Sequence, residues 1–337
     1  MNYSINKMCG GGRNESLDAL KAFAAIGVVL IHFGFPGDFG IIVQVCARVG
    51  VPIFFMCSGY YIENETLNYE KIKKKIVHNV RILVFGIILY LIFNVLNNGV
   101  ESVVKSISIG NVAKFLLLNA PQISAAHLWF VSALIYSYLI FFLIYKAKLL
   151  KKRILISVIL LTIHIAIAEI LPLFGMKLPH PVVRNAYLFG VPFLLIGNWL
   201  RDNEELTGNN IIKERFLKTI VGLGILASCI EKYLLSPNDL LELYVGSIIS
   251  SVGLFLICIK KPTCKCEIMA YIGRKYSLGI YILHPLVGAL IGQEMKGLYG
   301  FLWWRTIIII LISIVIWSLA TSILKSKWMN EIKKGKE

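Results

Sequence analysis

Long apolar stretches separated by short polar ones account for most of this chain. Ten of these stretches approach the roughly 20 residues that an α-helix needs to span a bilayer. They cover residues 17–35, 41–62, 77–96, 127–145, 154–173, 182–200, 216–235, 241–259, 277–291 and 302–324. The pattern predicts an all-α polytopic membrane protein with about ten transmembrane helices. A further apolar stretch, residues 111–118, is too short to span and is predicted to lie at the membrane interface.

The distribution of positive charge supports this number of spans and predicts their orientation. With the N-terminus in the cytoplasm, the predicted inner segments carry 24 Lys and Arg residues, and the predicted outer loops carry 4. Such an excess is the positive-inside signal of membrane proteins. We therefore expect both termini to be cytoplasmic. The formal net charge of +16 then reflects topology, and nucleic acid is not expected as a partner.

Composition agrees with a membrane protein. Apolar residues make up 57% of the chain and charged residues 16%, whereas soluble domains average about 45–50% and 25%. We expect one membrane domain, residues 17–324, between a cytoplasmic segment (1–16) and a basic cytoplasmic tail (325–337). The lone C-x-C pair, Cys264 and Cys266, lacks the spacing and the further ligands of a zinc site. No metal is expected.

A lysine and a histidine lie on the first predicted span, where lipid disfavours charge. Lys21 and His32 are eleven residues apart, which places them on one helix face with a separation of ~16 Å along the axis. His32 has the chemistry of a general acid or base, and the alternative is a hydrogen-bonded structural histidine. Lys21 is suited to the phosphates of a cofactor. Its alternative is to snorkel to the inner interface beside Asp18.

Three further charged residues are predicted at a depth similar to that of His32. Arg48 lies early in the second span, Glu169 near the outer end of the fifth, and Arg184 at the outer start of the sixth. Together they form a candidate set of acid, base and cation in the outer half of the bundle. The alternative for each is an interfacial position, and periodicity does not show that they converge.

Two further segments complete the candidate site. The fourth span opens with His127 and Trp129, and a Trp there is otherwise typical of an aromatic belt. The ninth span contains His284 followed by Pro285, which is predicted to kink the helix and to free backbone acceptors for a nearby polar group. We assign His127, Trp129, Arg184 and His284 to substrate binding.

These motifs, in this order, resemble the acyltransferase 3 family of bacterial membrane acyltransferases. The first span has Leu17-Asp18, a basic residue, ten intervening residues and a histidine. The second span reads VGVPIFFMCSGYYI, the fourth HLWF and the ninth YSLGIYILHP. The resemblance covers nearly the whole chain. The family tends to have two arginines at the start of the third span, and here only Arg81 matches.

The resemblance implies transfer of an acyl group, commonly acetyl from acetyl-CoA, to a hydroxyl or sometimes an amine of an extracytoplasmic molecule. The catalytic histidine of the family maps to His32, and the basic partner maps to Lys21. With Arg81, Lys21 would contact the donor phosphates. Our own hypothesis adds Arg48 as the stabiliser of the oxyanion and Glu169 as the group that orients or charge-balances His32.

The expected location is therefore the inner membrane of a bacterial cell, with acyl-CoA as donor. A cell-surface glycan or its lipid-linked precursor is the expected acceptor, while peptidoglycan, a lipid or an amino-acid-like molecule are alternatives. A second class of function also fits charged residues inside a bundle. In that reading the chain is a transporter or sensor with a polar central cavity and no chemistry.

Overall fold

The computed structural model describes residues 13–334 apart from 122–124, 206–212, 238 and 295–299, with only the backbone for 293–294 and 324–334. All regular secondary structure in these residues is helical. The α-helices are α1 (Glu15–His32), α2 (Gly37–Ala47), α3 (Gly50–Tyr60), α4 (Tyr69–Ser106), α5 (Ile109–Leu118), α6 (Trp129–Lys146), α7 (Arg153–Ile165), α8 (Leu171–Leu173), α9 (His180–Val183), α10 (Val191–Asp202), α11 (Glu214–Leu235), α12 (Val245–Lys260), α13 (Glu267–Lys275), α14 (Ser277–Glu294) and α15 (Phe301–Lys334). Short 3₁₀ turns, Ala126–Leu128 and Leu150–Lys152, precede α6 and α7, and π-helical segments, Ala166–Ile170 and Ala186–Gly190, precede α8 and α10.

The predicted all-α class is confirmed, and each predicted span falls largely on helix in the described residues. Within the part of the chain that the structure describes, five segments are long and apolar enough to cross a membrane, namely Gly37–Tyr60, Tyr69–Ser106, Ala126–Lys146, Leu150–Leu173 and Phe301–Ile323. Three apolar helices are shorter, namely Ile109–Leu118, Val245–Lys260 and Ser277–Gly292. The chain is thus a multi-pass membrane protein. The number of ten spans and the cytoplasmic position of the termini stay predictions.

Helices α3, α6 and α10 lie at the centre of the bundle. Their side chains Phe55, Phe141 and Phe193 are fully buried and belong to one hydrophobic cluster. By contrast, only 17% of the most apolar stretch of α4 and of α15 is buried, against 61% in the segment that contains α6. Helices α4 and α15 therefore lie at the periphery, with apolar side chains that a bilayer would cover.

Prolines explain where the long apolar segments depart from regular α-helix. A proline ring crowds the carbonyl four residues earlier and cannot donate to it. Pro52 lies four residues after Arg48, where α2 gives way to α3. Pro172 and Pro192 are each the second residue after a π-helical segment, and such a widened turn accommodates the missing donor. These local breaks place polar side chains that a straight helix would carry elsewhere.

Helix α1 carries two of the candidate site residues, and a side-chain cap fixes its start. The Asn14 side chain accepts a hydrogen bond of 2.8 Å from the Leu17 N–H, and Asp18 in the first turn complements the helix dipole. Lys21 and His32 lie on this one helix. Their eleven-residue spacing therefore separates them by ~16 Å along the axis, as predicted.

Close contact between α3 and α10 requires glycine in both helices. A Cβ atom on Gly59 would lie 1.9 Å from the Leu194 carbonyl oxygen, and one on Gly197 would lie 2.0 Å from the Met56 carbonyl oxygen. Both distances are far inside van der Waals contact, and the opposing atoms are backbone. The two helices therefore cannot pack this closely with any larger residue at either position.

Replacing Gly197 by alanine should destabilise the protein, because the added methyl group forces α10 away from α3. Overpacking of this kind typically costs about 1–3 kcal/mol. The measurement is the midpoint of thermal unfolding of the purified protein in one detergent. Gly222→Ala is the matched control, since a Cβ on Gly222 meets nothing within 4 Å. An unchanged midpoint for Gly197→Ala would contradict the observed helix contact.

Candidate active site

Three histidine side chains from separate parts of the chain meet at one end of α1. His32 ends α1, His127 lies in the 3₁₀ turn before α6, and His284 lies in α14. The centroid of the His284 ring is 5.2 Å from that of His32 and 5.7 Å from that of His127. We call these three residues the histidine cluster. It brings together residues that the sequence analysis had assigned to catalysis and to substrate binding.

The proline inside α14 determines how His284 is held. Because Pro285 has no N–H, the Tyr281 carbonyl lacks its helical partner. His284 Nδ1 lies 2.8 Å from that oxygen and 3.0 Å from the Ile280 carbonyl oxygen. Both neighbours are acceptors, so Nδ1 carries the proton and Nε2 keeps the lone pair. In the described part of the chain, this buried Nε2 has no hydrogen-bond partner.

Tyr90 of α4 inserts its hydroxyl into the same part of α14. The hydroxyl donates a hydrogen bond of 2.8 Å to the Ile282 carbonyl and accepts one of 3.1 Å from the Leu286 N–H. Its ring packs edge-on against His127 at 4.6 Å between centroids. The acceptor that Pro285 was expected to free is the Tyr281 carbonyl, and His284 itself is the polar group that lies against it. Tyr90 was not predicted, since its signal in the sequence was no more than a hydroxyl in an apolar helix.

His127 is also fixed by α14. Its carbonyl accepts a hydrogen bond from the Tyr281 hydroxyl, and its side chain is buried, with only 8% of the residue exposed. Its Nε2 has no hydrogen-bond partner among the residues that the structure describes. No three His, Cys, Asp or Glu side chains within those residues are arranged to hold a metal ion. Imidazole groups can accept and donate hydrogen bonds and transfer protons.

His32 differs from the other two members of the histidine cluster because it is exposed. Protein nevertheless surrounds the ring, and Arg48, Arg184 and Glu242 lie close enough to act on it electrostatically. An accessible imidazole is suited to exchange a proton with a bound substrate.

Glu242 joins two of the predicted site residues in a cluster of ion pairs. Its Oε2 accepts a hydrogen bond of 3.2 Å from Arg48 Nη1, and its Oε1 accepts one of 3.4 Å from Arg184 Nη1. Oε1 also lies 3.2 Å from His180 Nδ1. The side chains of Arg48 and Glu242 are only 10% and 13% exposed, so water screens their charges poorly. We call Arg48, Arg184, His180 and Glu242 the ionic cluster.

Trp129 extends the ionic cluster toward a small recess. The Arg184 guanidinium lies 5.3 Å from the centroid of the Trp129 ring, a cation–π geometry. Only 7% of Trp129 is exposed, so it is not an aromatic-belt anchor facing lipid. The side chains that line the recess are Ala120, Pro121, Ala126, Trp129, Pro181 and Arg184.

Glu169 does not pair with Arg48 or Arg184 in the described contacts. It lies in the π-helical segment before α8, is 3% exposed, and has an Oε1 without a hydrogen-bond partner among the described residues. Arg48 and Arg184 bind Glu242 instead. The catalytic role of Glu169 stays a prediction. Glu242 was not predicted as a site residue. It lies just before α12 and belongs to no recognisable sequence motif.

Lys21 lies at the opposite end of α1 from the histidine cluster. Its Nζ lies 2.7 Å from Asp18 and 5.6 Å from the centroid of the Tyr61 ring, and 21% of its side chain is exposed. The pairing with Asp18 is thus present, while part of the side chain stays accessible to an anion. Arg81 is exposed on α4. The structure does not bring either residue into contact with the histidine cluster.

The pairing of His180 with Glu242 should make stability depend on pH. The hydrogen bond to Glu242 raises the pKa of His180 above its ordinary value of 6.5. A raised folded-state pKa means that the stabilisation is fully present below that ordinary value and is lost as the pH rises through the folded-state pKa. We expect wild type to melt at a higher temperature than His180→Gln at about pH 6, with the difference shrinking toward about pH 9. A difference that grows with pH would contradict the ion pair.

Comparison with protein families gives a match over nearly the whole chain. The model of the acyltransferase 3 family, described as an acyltransferase domain, matches residues 14–323. That range includes the histidine cluster, the ionic cluster and Lys21. No solved structure matches the chain.

The relatives that the chain matches are considerably longer proteins. It is 25% identical over 308 residues to an amino-acid racemase of Enterococcus faecalis, a match that covers 84% of this chain and 42% of the relative. It is 22% identical over 304 residues to a serine/alanine racemase of Enterococcus gallinarum, with 81% and 40% covered. The chain thus spans less than half the length of these curated relatives.

Proposed function

The chain belongs to the acyltransferase 3 family, and we propose that it moves an acetyl group from acetyl-CoA to a hydroxyl of a cell-surface glycan or its lipid-linked precursor. The family supports a membrane acyltransferase. The donor, the acceptor and the bacterial inner membrane are our proposal. The observation that carries it is the accessible His32, flanked by two buried imidazoles and by the ionic cluster, on the same helix as Lys21.

His32 has the accessibility that proton transfer requires. As general base it takes the proton of the acceptor hydroxyl while the hydroxyl oxygen attacks the thioester carbonyl carbon. The tetrahedral intermediate collapses when the carbon–sulfur bond breaks, and the CoA sulfur leaves as the thiol with the proton that His32 returns. An ester and free CoA result. In the alternative route His32 attacks first and carries the acetyl group to the acceptor.

The ionic cluster supplies positive charge where the oxyanion develops. Arg48 acts electrostatically on His32, and this supports the proposal that its guanidinium faces the thioester oxygen as that oxygen becomes negative. Donors that are fixed before the reaction stabilise such charge without reorganisation. Trp129 and Arg184 line a recess beside it. We assign that recess, with His127 and His284, to acceptor binding, and Glu169 to charge balance.

The donor is proposed to enter from the cytoplasmic side. The accessible part of Lys21 and the exposed Arg81 offer cations to the CoA phosphates. The extended pantetheine arm then covers the ~16 Å along α1 that separates Lys21 from His32. This arrangement places the thioester near the histidine cluster while the nucleotide stays near the inner surface.

Radiolabelled acetyl-CoA tests the proposal directly. The purified protein is reconstituted in proteoliposomes with the total lipid extract of cells that carry it, and free CoA thiol and labelled product are measured. The proposal expects both to appear together. Movement of label across the membrane without release of CoA would favour the transporter. Mass analysis of envelope glycans from cells with and without the protein then distinguishes a glycan acceptor from peptidoglycan, a lipid or an amino-acid-like molecule.

A further inference from the structure

Glu242 lies in a short segment whose neighbours hold it firmly in place. The Leu241 N–H donates a hydrogen bond of 3.1 Å to the Tyr244 hydroxyl, and the Tyr244 N–H donates one of 2.9 Å to Ser247 Oγ. Tyr244 itself is fully buried. Glu231 of α11 accepts hydrogen bonds from the first N–H groups of α12. The carboxylate of Glu242 therefore projects from a fixed backbone.

Three cationic or protonatable groups from separate elements converge on this carboxylate. Arg48 comes from the junction of α2 and α3, His180 from the start of α9, and Arg184 from the residue after α9. Both oxygens of Glu242 are used, one by Arg48 and the other by Arg184 and His180. A single side chain thus ties two otherwise unconnected arginines together.

Electrostatics shows why the two arginines need this partner. Both arginine side chains are mostly buried, with 10% exposed for Arg48 and 21% for Arg184. Without a negative partner, the two guanidinium groups would repel each other in this poorly solvated region. Removing one partner of a buried ion pair leaves an uncompensated charge. Without Glu242, we expect the guanidinium of Arg48 to turn away toward solvent.

We propose that Glu242 is the positioning residue of the acyl-transfer site, which holds Arg48 and Arg184 beside His32 so that their charge meets the developing oxyanion. This role rests on the proposed function. Glu242 acts through the arginines and does not itself touch the reacting atoms. Glu242 balances the charge of the two arginines, which differs from the charge balance of His32 proposed for Glu169.

A second ion pair in the same region provides a control, because it can show whether Glu242 positions the arginines or only connects two segments of the chain. Lys177 and Asp239 pair across the same two outer segments that His180 and Glu242 connect. That pair is largely exposed, 69% for Lys177 and 56% for Asp239, and neither side chain contacts an arginine of the ionic cluster in the described contacts. If Glu242 only joined two loops, loss of Asp239 would have a similar effect.

The test compares Glu242→Gln, Glu242→Asp and Asp239→Asn in the proteoliposome assay with acetyl-CoA. We expect Glu242→Gln to lower kcat by roughly 10²-fold, the loss that a misplaced catalytic group can cause, with KM for acetyl-CoA unchanged because Lys21 is far away. Glu242→Asp keeps the charge but draws it back, so its kcat should be intermediate. Asp239→Asn should match wild type. A wild-type kcat in Glu242→Gln, or an equal loss in Asp239→Asn, would overturn the proposal.

A double-mutant cycle shows whether Glu242 acts through Arg48. In an Arg48→Gln background, the further change Glu242→Gln should lower kcat less than threefold, because the group that it positions is already gone. Two losses that simply multiply would overturn the proposal. If Glu242→Gln does not fold, Glu242→Asp is tested in the same cycle, with the same two outcomes. Wild-type protein that releases no CoA would overturn the proposed function itself, and this role with it.

Discussion

Replacement of His32 by alanine should abolish acyl transfer while the protein still inserts into the membrane and binds acetyl-CoA. General acid–base catalysis by a positioned side chain contributes about 10²–10⁴-fold, and a loss in this range is expected in kcat for CoA release. His32 is an exposed residue at the end of α1, so its truncation leaves the buried core of the bundle in place. Thermal unfolding and binding of labelled acetyl-CoA should therefore stay near wild type.

Two variants sharpen the test of His32. His32→Asn keeps a side chain of similar polarity but cannot take up a proton, so it should be as inactive as alanine. His78→Ala removes an exposed histidine in the N-terminal part of α4 and should leave CoA release unchanged. Full CoA release by folded His32→Ala protein would remove the mechanism. It would leave the transporter or sensor as the better description of the bundle.

The physics of the bilayer explains how much of the fold the sequence predicts. In lipid, backbone N–H and C=O groups must bond to each other, and an α-helix satisfies them within one segment. The positions of the apolar stretches therefore also give the positions of the helices. The breaks were harder to foresee. Pro52, Pro172 and Pro192 were visible in the sequence, but whether each gives a helix junction or a π-helical segment depends on the packing of its neighbours.

The depth of the candidate site residues along their helices was predictable, but the side of each helix that faces a given neighbour was not. Counting residues gave Lys21 and His32 a common helix and placed Arg48, Arg184 and Glu169 at a similar depth. Depth alone does not tell which side of a helix faces which neighbour. Glu242, from a segment between two helices, binds both arginines, and no local pattern marks it.

The histidine cluster shows the same limit. His32, His127 and His284 were each singled out from their own segment, yet their contacts join residues far apart in the chain. The proline-dependent hydrogen bonds of α14 were accessible to sequence reasoning, because a proline always leaves one carbonyl without its helical donor. The contact that Tyr90 makes from α4 with the neighbouring Ile282 carbonyl and Leu286 N–H depends on tertiary packing alone.

Replacement of Arg48 by glutamine should have the second-largest effect, through the oxyanion. Loss of one such donor typically lowers kcat by about 10²–10³-fold, and KM for acetyl-CoA should change little because Lys21 is untouched. Glu242 keeps Arg184 and His180 as partners, so the variant should fold. Arg48→Lys keeps the charge but not the planar geometry, and it should recover only part of the activity.

Arg305 provides the matched control, since it is a second guanidinium close to the end of α1. It donates a hydrogen bond of 3.2 Å to the Gly34 carbonyl and lies 5.5 Å from the centroid of the Phe33 ring, outside the ionic cluster. Arg305→Gln should lower kcat less than about threefold, because a positive charge stabilises an oxyanion only where it is aimed at it. Equal losses in the two variants would mean that general positive potential, and not the placement of Arg48, supports the reaction.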